Sequence, residues 1–412
     1  MFTKEREAVL DILKDIQKKG DEALINNTLK WDKVSLSPDK LKIPAKDYHK
    51  GSGFSDEMKN ILKSSKQNIE EYQSSLLPDS SHVLNEKEGV SLGLRYTPMD
   101  RVGVYIPGGT APLISTVLMT VIPAKIAGVK EVVVVSPPTH EGKIHPAITY
   151  ACDLCGVDEV YQVGGAQAIG ALAYGTSTIK PVDKIVGPGN VYVALAKKEV
   201  FGLVDIDMIA GPSEIMLVTD EKTPVDWVVC DLMSQAEHDP LAASYLICSQ
   251  QNYAERVIES FEKKMKEMPR REIIERSWEN HAGIFVVEDD KKLAKIVNAL
   301  APEHLQLMID DPQSLLDQVK HAGAIFLGRY APEPLGDYWA GPSHVLPTSG
   351  AAKFSSPLSV MSFLKTSSLI SYTPEAFEKV ALGVGAFARL EGLEAHAQSM
   401  EIRLKKKKSE SV

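Results

Sequence analysis

The chain has 412 residues, 44% hydrophobic and 25% charged, enough for two or three domains around a large buried core. A net charge of −9 speaks against a nucleic-acid-binding surface as its main role, and four cysteines are too few for a disulfide scaffold at this length. The opening "MFTKEREAVLDILKDIQKKGDEAL" is charged throughout and does not read as a signal peptide. No run of about 18 apolar residues predicts a membrane span, so a cytoplasmic protein is expected.

From Arg101 the chain alternates strand and helix. "RVGVYI" predicts a strand running into a Pro-Gly-Gly turn, and "ISTVLMTVIPAKIAGV" a helix that Pro123 should kink or break. "EVVVVS" is a continuous β-branched run, as in a strand covered on both faces of a parallel sheet. A helix around 144–155, strand "EVYQVGG", helix "AQAIGALAYG", strand "DKIVG" and helix "VYVALAKKEVFG" complete a first βαβ series.

The rhythm then repeats. Strand "SEIMLVT" precedes a helix through "QAEH" with Thr223 as N-cap and Pro224 as its first residue. Strand "SYLICS", a charged helix at 251–267, strand "AGIFVVE", helix 289–300, strand "HLQLMI", helix 311–319 and strand "AGAIFLG" follow. Two α/β sheets of similar size are expected, without a matching sequence repeat. Residues 329–359 are rich in Pro, Gly and Ser, and a loop this long in a compact protein is usually functional or disordered; Tyr338, Trp339 and Phe354 argue against disorder. Helix returns at 374–404, and the tail "KKKKSESV" should be a solvated end.

Three strand-to-helix turns, "YIPGGT" (105–110), "VGGAQ" (163–167) and "GPGN" (187–190), put bare N–H groups and helix N-termini at one sheet edge, where phosphates bind. No G-x-G-x-x-G accompanies them, and glycines also serve plain tight turns. "CDLC" (152–155) has metal or redox spacing, but lacks a second pair and fits buried thiols. Gln235 and His238 in "QAEH" are three apart on a predicted helix and share a face, while Glu237 points about 100° away. A solvated helix end explains the same residues. Glu303 and His304 in "APEHL" could act as acid and base at an element end, or simply line a polar loop.

Taken in order, "YIPGGTA", "VGGAQAIGALAYGT", "DKIVGPGNVYVALAKK", "IDMIAGPSE", "DLMSQAEHDP", "APEHLQL", "GDYWAGPSHVLPT" and "EGLEAH" resemble the histidinol dehydrogenase family from about residue 5 to 404. The resemblance implies an NAD- and zinc-dependent oxidation of L-histidinol through the aldehyde to L-histidine. It also implies two Rossmann-like parallel-sheet α/β domains with small helical N- and C-terminal segments, in an intertwined homodimer. The implied organisation is a helical segment at 1–20, a first α/β domain from 21–104 with 214–350, a second on the NAD side at 105–213, and a C-terminal segment at 360–412 reaching the partner.

One zinc ion per subunit would be held by Gln235, His238, Asp337 and, from the partner subunit, His396. Glu303 and His304 match the catalytic pair. Ser213, His344 and the partner's Glu391 match substrate contacts, alongside the zinc ligands and the catalytic glutamate. Tyr105, Gln167 and Asn190 match NAD contacts. No nucleic acid or membrane partner is implied. The chain departs from the family in "LIST" (113–116) where Tyr-Pro-Ser-Ser is usual, in Ser343 for Asn, and in "YQ" (72–73) for Phe-His. These departures leave open a paralogue acting on another polar alcohol; a catalytically inactive nucleotide- or metal-binding protein is the alternative from another class.

Overall fold

The computed structural model describes residues 3–49, 52–108 and 112–405, so the middle of the Pro-Gly-Gly turn and the tail beyond Lys405 lie outside it. The chain divides into two compact units: residues up to Leu77 with Met99–Phe363, and Pro78–Pro98 with Leu364 onward. The strands described are β1 (Lys42–Ile43), β2 (Ser81–Lys87), β3 (Val90–Pro98), β4 (Arg101–Tyr105), β5 (Glu131–Val135), β6 (Glu159–Tyr161) and β7 (Lys184–Val186). They continue with β8 (Asp205–Ile206), β9 (Glu214–Thr219), β10 (Ala243–Cys248), β11 (Gly283–Val286), β12 (His304–Met308), β13 (Ala324–Leu327) and β14 (Leu364–Tyr372).

The larger unit holds two sheets. The first has the order β1-β6-β5-β4-β7-β8, parallel except for β1 at its edge. The valine run of β5 lies inside it with Val132–Val135 fully buried, as a doubly covered strand requires. On one face, helices Thr3–Lys19 and Gly165–Tyr174 share a core of Val9, Leu13, Ile16, Ile169 and Leu172. The second sheet, β11-β10-β9-β12-β13, is parallel throughout. Without β1, both sheets have the strand order third-second-first-fourth-fifth. The two series that share no sequence repeat therefore share a topology, with a switch point between β4 and β7 and another between β9 and β12.

Several elements differ from expectation. Pro123 sits inside a helix, Ile114–Ala127, that does not end there. The helix Val225–Ala236 starts one residue later than predicted, with Pro224 in the N-cap position. The Thr223 hydroxyl instead donates to the Met308 carbonyl (2.7 Å), tying the helix start to the end of β12. The same helix stops before His238, which lies in the following turn with its N–H on the Gln235 carbonyl (3.2 Å). A second helix, Arg271–His281, follows Gln251–Met265; Trp278 stacks on Phe261 at 3.8 Å, packing that a polar sequence does not advertise.

The smaller unit is an antiparallel sheet with two helices. Glu88 and Gly89, both at positive φ, turn β2 into β3, and β14 pairs with β3 from Leu364↔Pro98 to Tyr372↔Val90. The C-terminal segment thus begins with a strand before helices Pro374–Leu390 and Glu394–Lys405. Among the described residues, no helix is long and apolar enough to cross a membrane.

Candidate active site

The second sheet concentrates its chemistry at the amino ends of its strands. Register pairs His304 with Ile215, which sets Glu303 and His304 beside Glu214 on the neighbouring strand. The Glu214 N–H donates to Glu303 Oε2 (2.8 Å), and its carbonyl lies 3.0 Å from His304 Nδ1. A carbonyl only accepts, so Nδ1 carries the proton and Nε2 presents its lone pair. Nε2 is buried with no hydrogen-bond partner; the carboxyl of Glu333, whose pKa burial and Asp337 push up to about 9, lies near it with Oε1 at 3.9 Å.

Burial lowers the His304 pKa and raises that of Glu303 well above the usual carboxylate range. The charges of Asp337, Glu214 and Glu333 push Glu303 the same way.

Residues far apart in sequence converge here. Asp337 lies on a short helix, Glu333–Tyr338, inside the Pro- and Gly-rich stretch. Its Oδ1 is 3.7 Å from His344 Nδ1, and its charge acts on Glu303, His304 and Glu333. Gln235 is 2% exposed. His238 is exposed, and its charge is felt at both His304 and His344. Half-buried Ser213 immediately precedes Glu214.

Ligand atoms of His304, Glu333 and Asp337 lie within 4.8 Å of one another, a group that could hold a cation. Glu333 escaped the sequence reading, although Glu333 and Asp337 stand four apart behind a proline, a spacing that puts two acids on one helical face. Gln235 Oε1, His304 Nε2 and His344 Nδ1 are all buried and unpartnered. Buried polar atoms are rarely left so, and amide oxygen, imidazole nitrogen and carboxylate together suit a divalent metal such as zinc.

The departures from the family pattern support this site from behind. Pro123 has no N–H to give the Met119 carbonyl, and the Ser343 hydroxyl donates to that carbonyl instead (3.1 Å). Ser343 Oγ also accepts the Val345 N–H, flanking His344 on both sides. Thr116, the last residue of "LIST", is 3.2 Å from His344 Nε2. Gln73 donates to the Gly341 carbonyl and accepts from Val360 N–H. With Ser65 on Tyr338 O and Asn68 on Trp339 O, helix Asp56–Ser75 holds the long loop. Tyr338, Trp339 and Phe354 are themselves exposed, so backbone tethers, not buried aromatics, account for the loop's order.

The three glycine-rich turns meet at the opposite edge of the first sheet. They line a cleft of about 420 Å³ with Tyr105, Gly108, Gly165, Gln167 and Asn190 in its wall. The Tyr105 hydroxyl accepts the Gly165 N–H (3.1 Å), leaving its own proton to donate. Asn190 Oδ1 caps helix Val191–Val200, which leaves its Nδ2 for a ligand. Beneath the third turn, Asp207 accepts the Gly187 N–H (2.7 Å) while Lys197 donates to the Gly187 carbonyl (3.0 Å). Lys197 and Asp207 pair with each other at 2% and 1% exposure. Gly187 has φ +108°, and a Cβ there would run into the Tyr105 carbonyl.

The corresponding edge of the second sheet is closed. Arg329 binds Asp220 through both carboxylate oxygens, reaches Asp310 (2.7 Å) and donates to Thr223 Oγ1 (3.0 Å). Glu391 and His396 belong to the smaller unit and are exposed there. Cys152 and Cys155 are buried free thiols, as the isolated "CDLC" predicts.

A family model for histidinol dehydrogenase matches residues 2–404. Histidinol dehydrogenase of Bacillus subtilis is 48% identical over 400 residues, 97% of this chain and 93% of that one. The crystal structure of histidinol dehydrogenase from Elizabethkingia anophelis superposes with a TM-score of 0.92 at 36% identity, covering 97% of this chain and 92% of that one. Betaine aldehyde dehydrogenase from Staphylococcus aureus shares the fold alone, at TM-score 0.52 and 10% identity over 90% of this chain and 83% of that one.

Proposed function

Because this chain belongs to the histidinol dehydrogenase family, we propose that it oxidises L-histidinol through L-histidinaldehyde to L-histidine, reducing two NAD per substrate. The observation that carries this reading is His304, anchored through Nδ1 on the side of the buried Glu303 carboxyl and offering a free Nε2 on the other. Nε2 takes the hydroxyl proton of the alcohol as a hydride leaves its carbon for the nicotinamide. A water molecule then adds to the aldehyde and yields a proton to Glu303, whose raised proton affinity suits a base. His304, after its first proton has passed to solvent, takes a proton from the resulting hydrate as the second hydride departs to a second NAD.

Gln235, His238, Asp337 and His396 of the partner subunit would hold one zinc ion, which would fix the substrate's amine and imidazole nitrogens. Ser213, His344 and Glu391 of the partner subunit would complete a polar, acidic pocket suited to a cationic amino alcohol. Exposure of Glu391 and His396 supports their service to another copy. Tyr105, Gln167 and Asn190 would contact NAD in the cleft of the first sheet.

The decisive assay is NADH formation from L-histidinol, with and without a zinc chelator. Two NADH per histidinol, lost on chelation and restored by zinc, is the expected result; turnover of another alcohol but not of histidinol overturns it. His396→Ala and Glu303→Gln should each be nearly inactive, and verified heterodimers of the two should regain activity. Heterodimers that stay inactive rule out the shared site.

A further inference from the structure

The cleft of the first sheet has a wall that the βα turns do not supply. Ile12, Trp31 and Asp32 come from the two N-terminal helices, Thr3–Lys19 and Asp21–Asp32. Asp32 is the one charged side chain among the described lining residues. Its Oδ2 is buried without a hydrogen-bond partner, although every turn around the cleft is rich in donors. Burial alone pushes this carboxyl up to about 6, and its charge reaches the Tyr105 hydroxyl. A carboxylate kept half dry and unpaired weakens the free protein, so its use is to be sought in a ligand that donates to it.

Sheet topology says which donor. In doubly wound folds, an acid that follows the second strand takes the ribose 2′-hydroxyl of NAD. Here the second strand is β5, and Ser136, Pro137 and Pro138 follow it. No acid stands there, while Asp32 enters the same cleft from a different element.

We infer that Asp32 accepts the adenosine ribose hydroxyls of the dinucleotide and makes this cleft select NAD over NADP. The inference rests on the reading of the cleft as the NAD site. A free 2′-hydroxyl donates to the carboxylate, whereas a 2′-phosphate brings a dianion against it in a poorly hydrated wall. The N-terminal helices thereby supply a specificity-determining residue that the glycine-rich turns lack.

The test is binding without substrate. NAD and NADP are titrated separately into the full-length dimer, followed by tryptophan fluorescence and by thermal shift, for the native protein, Asp32→Asn and Asp32→Ala. The native protein should bind NAD at least about 100-fold more tightly than NADP. Asp32→Asn should weaken NAD about tenfold and bring the two nucleotides within about tenfold of each other. Without nucleotide, both variants should melt at or above the native temperature, since the carboxylate has no partner to lose. The inference is overturned if both variants keep the native preference, or lose NAD and NADP in equal proportion. A native protein that binds neither nucleotide overturns the cofactor reading itself, which the native titration reveals alone.

Discussion

The two parallel sheets have the same strand order and work from opposite ends. The first opens a cleft at the carboxyl ends of β4 and β7, where glycine turns leave backbone bare and the Lys197–Asp207 pair holds both the N–H and the carbonyl of Gly187. At the same place in the second sheet, Arg329 fills the crevice with Asp220 and Asp310. Its active groups gather at the amino ends of β9 and β12, on the backbone N–H and carbonyl of Glu214. Topology decides where a crevice can open; the side chains set there decide whether it is used.

If the two edges are separable, each can be damaged without the other. His304→Ala should lower kcat by about 10²–10⁴-fold, while NAD still raises the melting temperature as in the native protein. Loss of nucleotide binding would mean the edges are not independent. Lys197→Met strands a buried carboxylate and should cost about 3–5 kcal/mol of stability. In steady-state kinetics of the folded fraction, KM for NAD should rise with kcat little changed, and a kcat-only effect would refute the clamp. Arg329→Gln, in the sealed edge, should cost about 1–2 kcal/mol in denaturant melts and leave turnover and NAD affinity intact.

The smallest effect concerns the base of the first sheet, where Arg101 pairs with Glu131 and Glu159, and Lys42 also pairs with Glu159. These partners hold the Glu159 carboxyl down at about 2, against an ordinary 4.5. A group whose pKa is lower in the folded state adds stability above its unfolded pKa and loses it as pH falls through the folded one. Glu159→Gln should therefore melt earlier than the native protein at pH 6, with the gap narrowing between about pH 4.5 and 2. A constant gap across that window would show that the charge is not what matters.

Much of this contrast was readable in the sequence. The valine run of β5 and the alternation of strand with helix have strong periodic signals, and the three glycine turns do line one cleft. Gln235 and His304 stood out by spacing and adjacency, and both carry unpartnered buried atoms. Glu333 did not, because its six-residue helix lies in a stretch without apolar period and its burial comes from distant elements. β14 was equally silent, since "LKTSSLISY" is exposed along almost its whole length and has no buried face to impose alternation. The sealing of the second crevice depends on Arg329, Asp220 and Asp310 meeting across three strand ends, which no local pattern encodes.

The pairing of β3 with β14 also imposes an order in time. During synthesis, β3 is complete at Pro98, but its partner begins only at Leu364. At about 5–20 residues per second, ribosomes leave that edge waiting on the order of ten seconds to a minute. Both parallel sheets are fully translated by Leu327, so they can close first. Until β14 emerges, the nascent chain trails a hairpin open along β3 as well as along β2, and β2 exposes Val83 and Leu84. A chain that stalls before Leu364 would therefore carry assembled sheets and an adhesive strand together.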